Sequence, residues 1–129
     1  MLHQNALRAY EQVEQDFLVE GASRHRLVEI LFTELIGSID RALLAIAVDD
    51  TSARSAGVSK ALTIVYSLSS SLDFERGGSV ATSLGDLYEW ARHQLLAVNK
   101  DRPTERLNAV RLAMSEISEA WSSIAGKVA

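Results

Sequence analysis

The chain has 129 residues, enough for one domain whose core buries about two-thirds of the unfolded surface, and too few for two comfortable ones. Apolar residues make up 47% and charged residues 23%, a globular rather than a disordered composition. The formal net charge of -4 leaves no broad basic surface for nucleic acid, and the lack of cysteine removes disulfides, thiolate nucleophiles and cysteine-based metal sites.

Met1-Leu2-His3-Gln4-Asn5 lacks the basic start and apolar core of a signal peptide, and no apolar run reaches the roughly 18 residues of a membrane span. A cytoplasmic protein without membrane insertion is expected. The first segment, about Asn5 to Leu18, spaces Ala6, Tyr10, Val13 and Phe17 by three and four and closes near Gly21, so it reads as a short helix. About 20 residues form this partly mobile N-terminal segment, and a bundle is expected over about 23–126.

Ser23 is placed to cap a second helix reaching about Val48, with Leu27, Leu31, Leu35, Ile39, Ala42 and Ile46 on one face. Val28, Phe32, Ile36 and Leu43 widen that face, as an inner bundle helix requires. After the polar stretch Asp49-Asp50-Thr51-Ser52, a third helix from about Ala53 carries Val58, Leu62, Val65, Leu68 and Leu72 inward. The adjacent glycines Gly77 and Gly78 are expected to stop it and reverse the chain, after which Ser79 caps a fourth helix. Its expected apolar positions are Val80, Leu84, Leu87, Ala91, Leu95 and Val98.

Pro103 suits the first turn of a last helix, where its missing N–H costs nothing. There Leu107, Val110, Met114, Ile117, Trp121, Ile124 and Val128 alternate spacings of three and four, the period of helices packed at shallow angles. The expected fold is all-α: an antiparallel up-and-down four-helix bundle with the short N-terminal helix packed across it.

Signs of catalysis are absent from the sequence. The histidines His3, His25 and His93 fall in separate segments without metal-ligand spacing, and neither a phosphate loop nor a nucleophile elbow occurs. Neither enzyme activity nor a cofactor or metal is expected. Glu89 and His93, four apart, read as a helix-supporting pair. Arg24-His25-Arg26 is either a solvated first turn or a contact for an acidic partner, since cations there oppose the helix dipole.

The second helix is apolar over more of its circumference than a bundle core needs, with Phe32, Ile36 and Leu44 in surplus. Leu7, Tyr10 and Val13 of the first helix can cover part of it. The remainder is either core or a groove for a foreign apolar helix.

Leu72-Asp73-Phe74-Glu75-Arg76-Gly77-Gly78 resembles the helix-turn signature of the flagellin-export chaperone (FliS) family. The Tyr10 segment, Ala22-Ser23-Arg24-His25-Arg26-Leu27-Val28, Leu84-Gly85-Asp86-Leu87-Tyr88 and Ala120-Trp121-Ser122-Ser123-Ile124 follow the order and spacing of that family's other common segments. The resemblance implies a bundle that binds the disordered C-terminal segment of flagellin, prevents its premature polymerisation and presents it to a flagellar export gate protein. It also implies client contact at Leu7 and Tyr10, while Asp73, Glu75 and Arg76 are expected to cap and pair charges around the glycine turn. Arg24 stands where the family commonly has proline, and Leu31-Phe32-Thr33-Glu34-Leu35 replaces a usual aromatic-Asp-Gly arrangement. A monomer or weak homodimer is expected, the competing reading being a self-associating structural or adaptor bundle.

Overall fold

A computed structural model describes residues 23–124 together with Asn5 and Arg8. The expected N-terminal helix, with Leu7, Tyr10 and Val13, and the distal Val128 lie outside the described residues. Within them are four helices and no strand: α1 (Arg24–Ala47), α2 (Thr51–Ser70), α3 (Phe74–Leu96) and α4 (Pro103–Ser123).

Each start has a local cause. The Ser23 hydroxyl accepts from the Arg26 N–H at 3.1 Å, and the Asp50 carboxylate accepts from the Ala53 N–H at 3.0 Å, so both side chains satisfy an amide without an intrahelical partner. Asp73 Oδ1 accepts from the amides of Glu75 and Arg76, each at 3.1 Å. Pro103 opens α4 behind Arg102, whose backbone is left-handed at φ 47°.

Helix α1 ends in a Schellman arrangement. The Asp50 N–H bonds to the Ala45 carbonyl at 2.9 Å and the Asp49 N–H to the Ile46 carbonyl at 3.2 Å. Asp49 takes the left-handed position at φ 56° that glycine usually fills. Asp50 therefore closes one helix with its backbone and opens the next with its side chain.

The turn after α2 departs from the sequence expectation. Reversal occurs at Ser71–Asp73, and Asp73, not Ser79, supplies the cap. A carboxylate holding two amides fixes the helix start four residues ahead of the glycine pair. Gly78, at φ 51° and ψ -125°, is then a break inside α3 rather than the reversal itself. Its conformation requires glycine. Register shifts with it: Ala81 and Tyr88 are buried, whereas Val80, expected inside, is 66% exposed.

Helix contacts run α1–α2, α2–α3, α3–α4 and α4–α1, closing a ring as in an up-and-down bundle. Cross-helix pairs set antiparallel registers: Glu34 meets Lys60 at 2.8 Å, Asp40 meets Arg111 at 2.6 Å, and the Trp121 indole N–H donates to the His25 carbonyl at 3.0 Å. The core runs through Leu35, Ile39, Ala42, Val65, Leu68, Ala91, Leu95, Val98, Leu107, Val110 and Met114. Each large aliphatic residue here contributes about 1.5–3 kcal/mol of hydrophobic stabilisation.

Two contacts tighten the connected ends. A Cβ on Gly57 would sit 2.9 Å from the Ser38 carbonyl oxygen and 3.1 Å from Ala42 Cβ, so α1 and α2 meet backbone to backbone. Arg106 ties the α3–α4 connection by donating to the Asp101 carboxylate at 2.6 Å, the Asp101 carbonyl at 3.0 Å and Gln94 Oε1 at 3.0 Å. Its guanidinium holds the Asp101 carboxyl below the usual range.

Candidate functional site

The inward positions of the bundle are closed where α1 runs into α2 and α3 into α4, and less so at the opposite end. There the start of α1, the end of α2, the first half of α3 and the end of α4 surround a cavity of about 330 Å³. This is the low end of the range for ligand sites, about 300–1,000 Å³, room for a few side chains rather than a whole helix.

Helix periodicity builds its walls. Leu27, Val28 and Phe32 come from α1, Leu68 from α2 with Leu72 just after it, Leu84 and Tyr88 from α3, and Ile117 and Trp121 from α4. Phe32 and Leu68 form the floor shared with the core, being 1% and 2% exposed. Arg24, His25 and Ser71 supply the polar lining.

One corner is ordered by aromatic contact. The His25 and Trp121 rings stack at 4.7 Å between centroids and 10° between planes, worth about 0.5–1.5 kcal/mol beyond area burial. With the indole N–H on the His25 carbonyl, this joins the first turn of α1 to the last turns of α4. His25 Nε2 lies 3.2 Å from Glu29 Oε1, and Arg26 meets the other Glu29 oxygen at 3.3 Å. His25 and Arg26 of the Arg24-His25-Arg26 turn thus both lie against the Glu29 carboxylate.

Tyr88 is 4% exposed, and its burial pushes the phenol up to about 12. Elsewhere charges pair on the surface. Glu89 is drawn down to about 2, mainly by the hydrogen bond from Arg92, with His93 at 3.1 Å adding to it. That pair is exposed on α3.

Of the expected binding residues, Phe32, Ile36 and Leu44 are among the described ones and lie in different surroundings. Phe32 lines the cavity; Ile36 follows one turn deeper, half-buried against the core; Leu44 is 65% exposed near the far end of α1. In the signature turn, Leu72 lines the cavity and Asp73 caps α3, with Arg76 Nε 3.9 Å from its carboxylate in an exposed pair. Phe74 is exposed, and its ring lies within van der Waals reach of a Cβ placed on Gly85. Glu75 adds a negative charge to the first turn, favourable to the helix dipole. Gly77 has room for no side chain, since a Cβ there would lie 2.7 Å from Ala81 Cβ, and Gly78 makes the break.

His25, which the sequence offered only as part of a possible contact for an acidic partner, completes the wall with Leu84, Tyr88, Ile117 and Trp121, which sequence reasoning did not place in a site. The sequence signal was a set of apolar positions at helix ends whose opposing partners are equally large. Large residues meeting across a bundle end hold the helices apart.

The chemistry on offer is apolar burial. The buried serines are committed to their own helix: Ser38 Oγ donates to the Glu34 carbonyl at 2.8 Å and Ser67 Oγ to the Thr63 carbonyl at 3.1 Å. Among the described residues no helix is long and apolar enough to cross a membrane.

Comparison with known proteins agrees with the signature turn. The family model described as flagellar protein FliS matches residues 5–128. The chain is 35% identical over 124 residues to the flagellar secretion chaperone FliS of Salmonella typhimurium, covering 95% of this chain and 92% of that one. It is 30% identical over 119 residues to the Vibrio cholerae protein of the same name, covering 92% and 88%. With the flagellar secretion chaperone FliSB of Pseudomonas aeruginosa it shares 29% identity over 124 residues, 96% and 98% of the two chains.

Proposed function

Because this chain belongs to the FliS family of flagellar secretion chaperones, we propose that it binds the disordered C-terminal segment of flagellin, using the cavity at the open end of the bundle as an anchor. It works in the cytoplasm, keeps flagellin from polymerising prematurely and delivers it to the flagellar export gate. The observation that carries this reading is the cavity itself, an apolar recess framed by all four helices.

The physical logic follows from the client. A segment that becomes helical only in the assembled filament exposes an apolar stripe beforehand, and such stripes associate with one another. A helix laid against the bundle inserts a few side chains between Leu72, Leu84, Ile117 and Trp121, while the rest of its apolar face rests on the surrounding surface. Ordering the segment on contact offsets part of the interaction energy, so a long interface can still release. No bond is made or broken, and the role is not enzymatic.

The test is co-purification with full-length flagellin and with flagellin lacking its C-terminal segment. Retention of the first and loss of the second is expected; equal retention of both defeats the proposal. Sedimentation adds a second arm, since the exposed Leu44 and Val48 at the far end favour self-association as the rival role. A homodimer indifferent to the flagellin segment selects that rival.

A further inference from the structure

Trp121 makes two contacts at one corner of the recess. Its ring stacks on His25 at 4.7 Å and 10°, and its indole N–H donates to the His25 carbonyl at 3.0 Å. The acceptor is main chain, so this bond depends on where α1 begins, which the Ser23 cap fixes, and not on the side chain at position 25. Because α1 starts at Arg24 and α4 finishes at Ser123, the contacts join the first turn of one helix to the last turns of the other, the places where helices are loosest.

Stability alone does not call for this arrangement. An apolar recess of about 330 Å³ forfeits packing, and an α4 end free to settle inward would recover part of it. Held to α1 by both ring and N–H, the end of α4 stays out, and Ile117, one turn before Trp121, stays with it. Leu27 and Val28 line the recess from α1, Ile117 and Trp121 from α4. The spacing between these two sides is therefore set by a pair of stacked rings.

We infer that Trp121 is a positioning residue, whose stack and main-chain hydrogen bond hold the ends of α1 and α4 at a set spacing and so determine the size of the apolar side chain that the recess admits. This rests on the client-binding role proposed above and adds the rule by which that site sorts its guests. A recess of set width discriminates by volume, because a small side chain leaves a void and a large one forces the walls apart. With a loose wall it would accept both.

The test removes the N–H and keeps the ring. In a Trp90→Phe background, the remaining indole is replaced biosynthetically by benzothiophene, in which sulfur stands where the N–H was. Both full-length proteins are titrated with synthetic flagellin C-terminal peptides in which each apolar residue in turn is made Ala, Leu or Phe, and both are melted alone. With the indole, one peptide position should prefer one of the three sizes by about tenfold, equivalent to about 1.4 kcal/mol. Without the N–H, that preference should narrow to about threefold or less. His25→Phe keeps an aromatic ring and the main-chain carbonyl, and should keep the size preference of the parent.

An unchanged size preference after loss of the N–H overturns the inference and leaves the chaperone role standing, as does a parent that binds the peptides without any size preference. Uniform weakening across all peptides with a lower melting temperature also overturns it, since the bond would then serve only the fold. Loss of the preference in His25→Phe transfers it to the imidazole and overturns it too. A parent protein that binds none of the peptides defeats the client-binding role, and this inference with it.

Discussion

The two ends of the bundle are built on opposite principles. At the end where α1 joins α2, small residues let backbones touch: Gly57 lies against Ser38 and Ala42, and the small Ala45 and Ala61 are buried on the same two helices. At the other end the facing residues are His25, Phe32, Leu72, Leu84, Tyr88, Ile117 and Trp121, large side chains that leave a recess between them. The first end concentrates close packing and the second holds the recess. Stability and binding should therefore respond to different substitutions.

The sharpest way to break that division is to truncate one leucine in the closed core and one isoleucine at the open end. Leu107→Ala, at a fully buried position, should cost about 2–5 kcal/mol in urea denaturation. Ile117→Ala, only partly buried, should cost about 1 kcal/mol while weakening binding of a flagellin C-terminal peptide more than Leu107→Ala does. Equal stability losses with equal affinities would erase the distinction.

Tyr88 tests the open end by pH. Burial pushes its phenol up to about 12, above the ordinary value of 10.0, so its contribution is complete below pH 10 and is lost as pH rises toward 12. The loss reaches about 3 kcal/mol for two pKa units. Melts of the parent and Tyr88→Phe between pH 9 and 12 should diverge, with the variant keeping more of its stability.

Gly78→Ala should cost about 1–3 kcal/mol, because alanine does not tolerate φ 51° with ψ -125°, and should change client affinity through the start of α3. The smallest effect belongs to the closed end. Asp49→Gly relieves a left-handed aspartate and should raise stability by about 0.5 kcal/mol in denaturant titration, leaving binding unchanged.

Much of this molecule was legible in its sequence wherever a local rule acted alone. Ser23 and Pro103 mark helix starts by capping chemistry and by a missing N–H, and both stand where those rules put them. The three-and-four spacing of Leu107, Val110 and Met114 likewise delivers core residues. Rules that compete were harder to read. Asp73 and the glycine pair each can end a helix, and the carboxylate decided the position while Gly78 became a break, displacing Val80 outward and drawing Tyr88 in. Gly57 looks like a weak helix residue until the neighbouring helix is in place, because a close approach is a property of two segments.

The candidate site was less legible for the same reason. Surplus apolar residues on α1 announced that something exceeded core requirements, but Phe32, Ile36 and Leu44 proved to occupy three different environments. A recess is defined by what faces it across the bundle. His25 and Trp121, 96 positions apart, declare their relation only through the stack and the indole hydrogen bond.

The backbone-close seam between α1 and α2 has a mechanical consequence. Among neighbouring helices those two make the most extensive contact and α3–α4 the least, so the pair joined at Gly57 acts as a fixed jaw. Adjustment of the recess to a bulkier guest is easiest where α3 and α4 part from one another, the seam at which the fewest contacts have to be remade.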